Sequence, residues 1–457
     1  MTGDEFDVVV IGAGPAGEVC AGRLGEAGLH VAIVENRLVG GECSFYACMP
    51  SKALLRPPEV LAEARRIPGA AEAVTSDLDV EAVLRRRDEV VHDLDDSGQL
   101  PWLETRGVTL VRGSGRLSGE RRVEVDGRVL TASKAVVVAT GSTPALPPIP
   151  GLAEAAAWTN REATTSKHVP PRLLVLGGGV AGVELGQAWS TLGSQVTIVE
   201  ALPRLLGREE PFAAEQVQAA LVECGVEVRV GVKAVEIAGD DHGVVVGLDS
   251  GDEVVGDELL VAVGRRPATG DLGLDTVGLE PCGYVEVDDS LRAKGSDWLY
   301  AIGDVNGRAL LTHMGKYQGR IAADAILGRQ ARIDPNADGA LAPRVVFTDP
   351  QVAAVGHTLE SAQTAGIEVR AVDYSTSAVA GDSFYGRGAP GTSRLVVDER
   401  RRVLVGATFT GPGVSEFLQA ATIAIVGEVP LERLWHAVPS FPTRSEIWLR
   451  LLETYGL

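Results

Sequence analysis

No apolar run in this 457-residue sequence approaches the roughly 18 residues that cross a bilayer, so no membrane-spanning segment is expected. Basic side chains are in short supply: 42 against 62 acidic ones, a net charge of −20. A nucleic-acid or anionic-membrane surface needs a basic patch, and this balance argues against either partner. The start, Met1-Thr2-Gly3-Asp4-Glu5, is acidic and its apolar continuation runs directly into a glycine motif. A secretion signal would need a basic start and a cleavage site. A cytoplasmic location is expected. Cysteine is scarce too, with only Cys20, Cys43, Cys48, Cys224 and Cys282. So few, and odd in number, they argue against a disulfide-stapled secreted fold; a close pair in a reducing compartment reads as catalytic or metal-binding. Glycine, by contrast, is abundant at 55 residues, clustered in short motifs without a fixed period. The chain is too long for one core and should hold several domains.

The glycines explain themselves in context. Residues 6–11 are a β-rich apolar run ending at Gly12-Ala13-Gly14-Pro15-Ala16-Gly17, with a helical stretch after it and a second strand ending on Glu35. In such a β-α-β unit the first glycine (Gly12) permits the tight turn. The second (Gly14) lets backbone approach a pyrophosphate, and the third (Gly17) lets helix and strand pack closely. The acid at Glu35 can accept hydrogen bonds from a ribose. The pattern repeats about 165 residues later. A strand at 172–176 runs into Gly177-Gly178-Gly179-Val180-Ala181-Gly182, then a helix, then a strand ending on Glu200. Two dinucleotides are therefore expected. The Glu200 carboxylate would repel a 2′-phosphate and favours NAD(H) over NADP(H), unless it points elsewhere and Arg204 or Arg208 serves NADP(H).

Two strands running into glycine turns, ending at Thr140-Gly141 and at Gly264-Arg265, close the units. The proline-rich stretch 144–150 reads as a crossing between domains. From Ala340 onward strands come first and helical patterns follow, which suggests a separate α+β domain.

At Gly40-Gly41-Glu42-Cys43-Ser44-Phe45-Tyr46-Ala47-Cys48-Met49-Pro50-Ser51-Lys52 the chain resembles the pyridine nucleotide–disulfide oxidoreductase family. That family includes dihydrolipoamide dehydrogenase, glutathione reductase and mercuric reductase. Residues 296–304, ending on Gly303-Asp304, are similar to its flavin-ribityl motif, and 311–320 to the helix after it. Residues 343–350 are similar to the opening of its dimerisation domain. The resemblance implies an α/β chain with two Rossmann-like domains, for FAD and NAD(P), plus a C-terminal α+β dimerisation domain. The expected boundaries are 1–150 and 271–339 for FAD, 151–270 for NAD(P) and 340–457 for dimerisation.

The resemblance also implies the wiring of a homodimeric enzyme. FAD is expected at Gly12, Gly14, Pro15, Ala16, Gly17, Glu35, Gly41, Lys52, Thr140, Gly141, Gly303 and Asp304. The nicotinamide cofactor is expected at Gly177, Gly179, Gly182, Glu200 and Gly264. Electrons would pass through FAD to a Cys43–Cys48 disulfide, with Cys48 against the flavin and Cys43 exchanging with a small disulfide acceptor. Lys52 and Glu184 match an ion pair that stabilises reduced flavin, although a plain structural pair is the alternative. On a regular helix the two cysteine Cα atoms would lie roughly 8.6 Å apart, beyond the roughly 7 Å a disulfide tolerates, so a pairing requires a distorted helix start. A metal reading of C-x4-C lacks further Cys or His ligands nearby.

The chain departs from the family at its end. The family's H-x-H-P-T-x-S-E motif supplies an acid–base histidine across the dimer, with the glutamate orienting it. Here the segment is His436-Ala437-Val438-Pro439-Ser440-Phe441-Pro442-Thr443-Arg444-Ser445-Glu446. Phe441 takes the histidine position in one alignment and Val438 in the other, while Glu446 is kept. General acid–base catalysis commonly contributes about 10²–10⁴-fold, so the loss weakens disulfide exchange. A quinone acceptor would suffer less, which gives a quinone reductase as the second reading. A redox-sensing flavoprotein acting on a partner is the third. Glu42 and His436 are the substitute bases that the sequence offers. The C-terminus also lacks the cysteine pair of mercuric reductase.

Overall fold

A computed structural model describes residues 4–240, 243–386, 388–389 and 391–457. The chain divides into two compact units. One comprises the residues up to Pro50 with Asp88–Thr143 and Arg265–Ala340, and the other comprises Ser51–Arg87, Pro144–Gly264 and Leu341–Leu457.

The first unit is built on parallel strands Val108–Arg112, Val31–Glu35, Glu5–Ile11 and Arg128–Val138, in that spatial order, with Leu299–Ala301 pairing alongside the last of them. Two antiparallel strands, Arg122–Val125 and Gly115–Leu117, extend the edge. Side chains alternate across a strand, so a sheet covered on both faces needs an unbroken apolar run. That is why residues 8–11 read Val-Val-Val-Ile. Val8 and Val10 join one core cluster, and Val9 and Ile11 join the cluster on the opposite face.

The second unit repeats the arrangement. Strands Glu227–Val230, Gln195–Glu200, Arg172–Leu176 and Glu258–Val261 are parallel and follow the same relative order. Leu173 and Val175 face one cluster, Leu174 and Leu176 the other. An antiparallel meander over Ala234–Asp240, Gly243–Leu248 and Glu253–Gly256 accompanies it. The same unit carries a five-stranded antiparallel sheet, in the order Arg344–Val346, Gln351–Gly356, Val403–Gly411, Thr392–Asp398 and Val369–Ser375. Helices Leu418–Val426 and Ile447–Tyr455 pack on it through Leu418, Ala421, Ile425, Ile447 and Leu451.

Candidate active site

The two glycine turns are near copies in geometry. Gly12 has φ +104°, and a Cβ there would lie 2.4 Å from the Ala139 carbonyl oxygen; Gly177 has φ +107° and 2.5 Å to that of Ala262. A Cβ on Gly17 would meet the Gly12 oxygen at 2.0 Å, and one on Gly182 the Gly177 oxygen at 1.9 Å. The middle glycines, Gly14 and Gly179, face open space and cap helices Pro15–Glu26 and Val180–Thr191 without any side-chain cap. The first-turn amides of each helix are thus left without a side-chain cap beside an open glycine, the arrangement that suits a diphosphate.

Both strand-end acids brace their own turn. Glu35 accepts from the Ala13 and Arg37 amides at 2.8 Å each. Glu200 accepts from Gly178 at 2.6 Å and Leu202 at 2.7 Å. Each carboxylate keeps lone pairs for a ribose. Arg204, the alternative phosphate ligand, donates to the carbonyls of Gly207 (3.0 Å) and Glu209 (3.3 Å).

Several buried polar groups of the first unit ask for a partner. Thr140 Oγ1 and Gln318 Nε2 are buried without one. Gly41, with φ +61°, approaches so closely that a Cβ on it would sit 2.8 Å from Gly14 Cα, and a Cβ on Gly303 would sit 3.2 Å from that of Ala16. Asp304 accepts from Ser142 Oγ at 2.5 Å. Burial pushes its carboxyl up, against the opposing pull of Ser142 and Arg265. Arg265 donates to Ser142 Oγ (2.6 Å) and Ser142 O (2.8 Å), and lies 4.0 Å from Asp304 and 3.7 Å from Glu42. An elongated ligand carrying a diphosphate and a hydroxylated chain fits this set, which is the chemistry of FAD.

The cysteines sit at a break between helices. Cys43 lies in the short helix Gly41–Phe45, which stops at Tyr46 (φ −133°, ψ 0°), and Cys48 opens the helix Cys48–Arg66. The chain breaks its helix just where a pairing needs it broken. Both cysteines are free thiols here, partly buried. Cys48 Sγ lies 3.3 Å from Thr312 Oγ1. The Cys43 thiol is pushed up, first by its hydrogen bond with Cys48, then by burial and the Cys48 charge; Thr312 and Lys316 pull the other way. Helix position alone would lower a thiolate pKa. For Cys43 the neighbouring sulfur and burial win.

Lys52 and Glu184 meet at 2.6 Å, with the lysine side chain a third exposed and the glutamate buried. Glu184 also accepts from the Phe347 amide at 2.9 Å, and Lys52 lies 4.8 Å from the Phe347 ring centre. Gln187, one turn later, exchanges hydrogen bonds with the Asp349 backbone at 2.7 and 3.1 Å. Glu184 therefore fastens local structure whatever else it does. Glu184→Ala, which takes the ion pair from Lys52 (leaving Ser51 Oγ at 3.2 Å) and orphans the Phe347 amide, is expected to cost about 1–3 kcal/mol, with Glu184→Gln costing less. Thermal unfolding of the two variants checks this.

At the C-terminal segment, Phe441 is 76% exposed and Val438 82% exposed. His436 is exposed as well. Glu446 is buried and taken up by Arg450 at 2.6 Å and the Ala380 amide at 3.3 Å. No helix of the described residues is long and apolar enough to cross a membrane, and no cluster of three metal-ligating side chains occurs among them.

Residues 6–319 match the pyridine nucleotide-disulphide oxidoreductase family, and residues 342–451 match the dimerisation domain of the same family. The chain belongs to this family. Its curated relatives include a dihydrolipoyl dehydrogenase of Thermus scotoductus, 35% identical over 96% of this chain and 95% of the relative. A mercuric reductase of Staphylococcus aureus is 30% identical over 97% and 81%. Among solved structures, the HOCl-induced flavoprotein disulfide reductase RclA from Escherichia coli superposes with TM-score 0.85 at 26% identity, covering 98% of this chain and 99% of that one. LpdA from Mycobacterium tuberculosis shares the fold (TM-score 0.86, 24% identity, 98% and 100% covered). As a family member the chain is an FAD-dependent, pyridine-nucleotide-linked disulfide oxidoreductase with two Rossmann-like domains, and its dimerisation domain makes it a homodimer.

Ser142 lies in no motif of the sequence, while Thr312, Lys316 and Gln318 lie inside the family-like stretch 311–320 without an assigned role. Arg265 was visible only as the residue after Gly264. Ser142, Arg265, Gln318 and Thr312 come to the candidate site through tertiary contacts that local spacing does not mark.

Proposed function

We propose that the enzyme reduces a small disulfide with NADH through the Cys43–Cys48 dithiol. The observation that carries this reading is the pair itself: Cys43 and Cys48 flank a break between helices and are hydrogen-bonded to each other, which pushes the Cys43 thiol up. Bound FAD would supply two-electron transfer between nicotinamide and dithiol. The first glycine turn, Glu35, Gly41, Thr140, Gly141, Gly303 and Asp304 would hold it; by the family motif, Lys52 with Glu184 offsets its negative charge when reduced. Gly177, Gly179, Gly182, Glu200 and Gly264 would hold the nicotinamide cofactor. The same motif sets Cys48 against the flavin and leaves Cys43 for exchange.

Without a histidine the dithiol can move its own proton. Cys43 passes it to the Cys48 thiolate, and the Cys43 thiolate attacks one acceptor sulfur. A Cys43–acceptor disulfide forms as the acceptor's own S–S bond breaks, and the departing thiolate takes the proton back from Cys48. Cys48 then displaces the second thiolate, which protonates from solvent, and the Cys43–Cys48 disulfide closes. Two electrons leave the protein. We assign Glu42 to the Arg265–Ser142–Asp304 network rather than to this proton transfer, because its nearest named cation is already fixed by Ser142.

Phe441 in place of the histidine favours the second reading, a quinone reductase. Turnover of oxidised lipoamide, low-molecular-weight disulfides and quinones, with each nicotinamide, tests both. Disulfide turnover lost in Cys43→Ser supports the exchange mechanism. Quinone turnover untouched by that change, with every disulfide inert, overturns it. For the cofactor, Glu200 braces its turn while Arg204 is spent on backbone carbonyls, which supports NADH. Glu200→Ala should lower the NADH-over-NADPH ratio of kcat/KM by about tenfold, the worth of one charged hydrogen bond.

A further inference from the structure

The exchange step needs Cys43 as a thiolate, yet its hydrogen bond to Cys48 and its burial both oppose that form. Something must offset them where the family histidine is missing. The Thr312–Ile326 helix is the element that reaches the pair: its first residue, Thr312, places Oγ1 3.3 Å from Cys48 Sγ. One turn along the same face, about 6 Å further by helical rise, stands Lys316.

Close packing holds the helix that carries it. Gly315 and Gly319 bring this helix hard against the Pro15–Glu26 helix, since a Cβ on them would lie 3.2 Å from Ala16 Cβ and 2.7 Å from Ala16 O. Lys316 is the one charge that acts both on Glu18 of that helix and on Cys43 of the dithiol segment, lowering each. Lys316 is exposed and, among the described residues, makes no hydrogen bond or ion pair of its own. The other cations of the candidate site are committed, Lys52 to Glu184 and Arg265 to Ser142 with Glu42 and Asp304 close by.

We propose that Lys316 is the cation that favours the Cys43 thiolate during exchange, and that Glu18 tunes it by competing for the same charge. This rests on Cys43 being the exchange thiol. The groups acting on Cys43 are Cys48, Thr312 and Lys316, and those acting on Glu18 are Lys316 and Glu35. Burial pushes the Glu18 carboxyl up to about 7, with Lys316 pulling it down and Glu35 raising it. Near neutral pH Glu18 therefore changes between a neutral neighbour that leaves the Lys316 field to Cys43 and an anion that takes part of it. Lys316 acts as an electrostatic positioning residue and transfers no proton.

The test is the rate at which iodoacetamide alkylates Cys43 in the two-electron-reduced holoenzyme across pH 6–10, read by mass spectrometry of the Cys43 peptide. In Lys316→Met, alkylation at pH 7 should slow about three- to tenfold and its midpoint should move to higher pH, as expected for losing one screened charge. Lys316→Arg should retain the normal profile, and Glu18→Gln should speed alkylation above pH 7. Raising the salt concentration should shrink the difference between wild type and Lys316→Met. FAD content and thermal midpoint should stay unchanged in all three variants. An unchanged midpoint in Lys316→Met, or a slowing that Lys316→Arg does not rescue, overturns the proposal. If the wild-type reagent label falls on Cys48 and not on Cys43, the exchange-thiol assignment itself fails, a result separable from failure at Lys316.

Discussion

Cys48→Ser is expected to cut NADH-driven disulfide reduction by at least about 10³-fold, a barrier increase of about 4 kcal/mol, because no second sulfur remains to resolve the mixed disulfide. Ferricyanide reduction, which draws electrons from the flavin alone, should persist. The partner change, Cys43→Ser, should be as damaging to disulfide turnover and differ in its spectrum. In Cys43→Ser the Cys48 sulfur remains beside Thr312 and has lost the thiol that donates to it. The long-wavelength absorbance of a thiolate against oxidised flavin should therefore survive in Cys43→Ser and vanish in Cys48→Ser. An anaerobic titration with NADH distinguishes the two. The reverse pattern would exchange the roles of the cysteines, and loss of ferricyanide reduction in either variant would show that the substitution had disturbed flavin binding instead.

This asymmetry arises from position in the chain rather than from cysteine chemistry. Cys43 belongs to a helix that ends at Phe45, while Cys48 begins one that runs to Arg66. The G-G-x-C-x4-C spacing made the break legible, because a regular helix holds such a pair too far apart. The glycine turns were equally legible, since each glycine answers to a local requirement of φ or of close approach. Strands at 172–176 and 195–200 follow from apolar runs bounded by turns. Less visible were two of the five C-terminal strands. Gln351–Gly356 is uniformly buried and carries no alternation, and Val369–Ser375 mixes charged and apolar residues on an edge. The first shows no period of two, and in the second the alternation slips where Ala371 and Val372 adjoin, which blurs the signal that marks a strand.

The candidate site was legible to the same degree and for the same reason. Residues in contiguous motifs stood out: Gly12, Gly177, Glu35, Glu200, Cys43 and Cys48. Residues that matter through tertiary proximity did not. Ser142 is an unremarkable serine until Arg265 and Asp304 converge on it. Lys316 is one lysine on an amphipathic helix until Thr312 fixes which face meets the dithiol. Glu446 shows the opposite case. Its motif is intact, yet its carboxylate is spent on Arg450 and the Ala380 amide, so a retained residue need not mean a retained role.

The duplicated turns supply the other large effect. Gly177→Ala places a Cβ 2.5 Å from the Ala262 carbonyl oxygen at φ +107°, and Gly12→Ala places one 2.4 Å from that of Ala139 at φ +104°. An L-residue pays roughly 1–2 kcal/mol for a left-handed conformation even without a clash, and real Cβ atoms do not approach carbonyl oxygen that closely. The turn must open, carrying with it the amides that would face a diphosphate. Gly177→Ala should therefore retain its full FAD content but slow flavin reduction by NADH at least about 10²-fold, while chemical reduction by dithionite is unaffected. Gly12→Ala should be purified largely without FAD and still bind NADH, measured by the fluorescence of the bound nucleotide. Gly179→Ala is the control, because its Cβ would meet nothing in the protein and can harm only the approach of a ligand. If Gly179→Ala weakens NADH binding at unchanged thermal stability, the second turn touches the nucleotide directly. If Gly177→Ala instead loses FAD and keeps NADH reduction of whatever flavin remains, the assignment of the two turns must be exchanged.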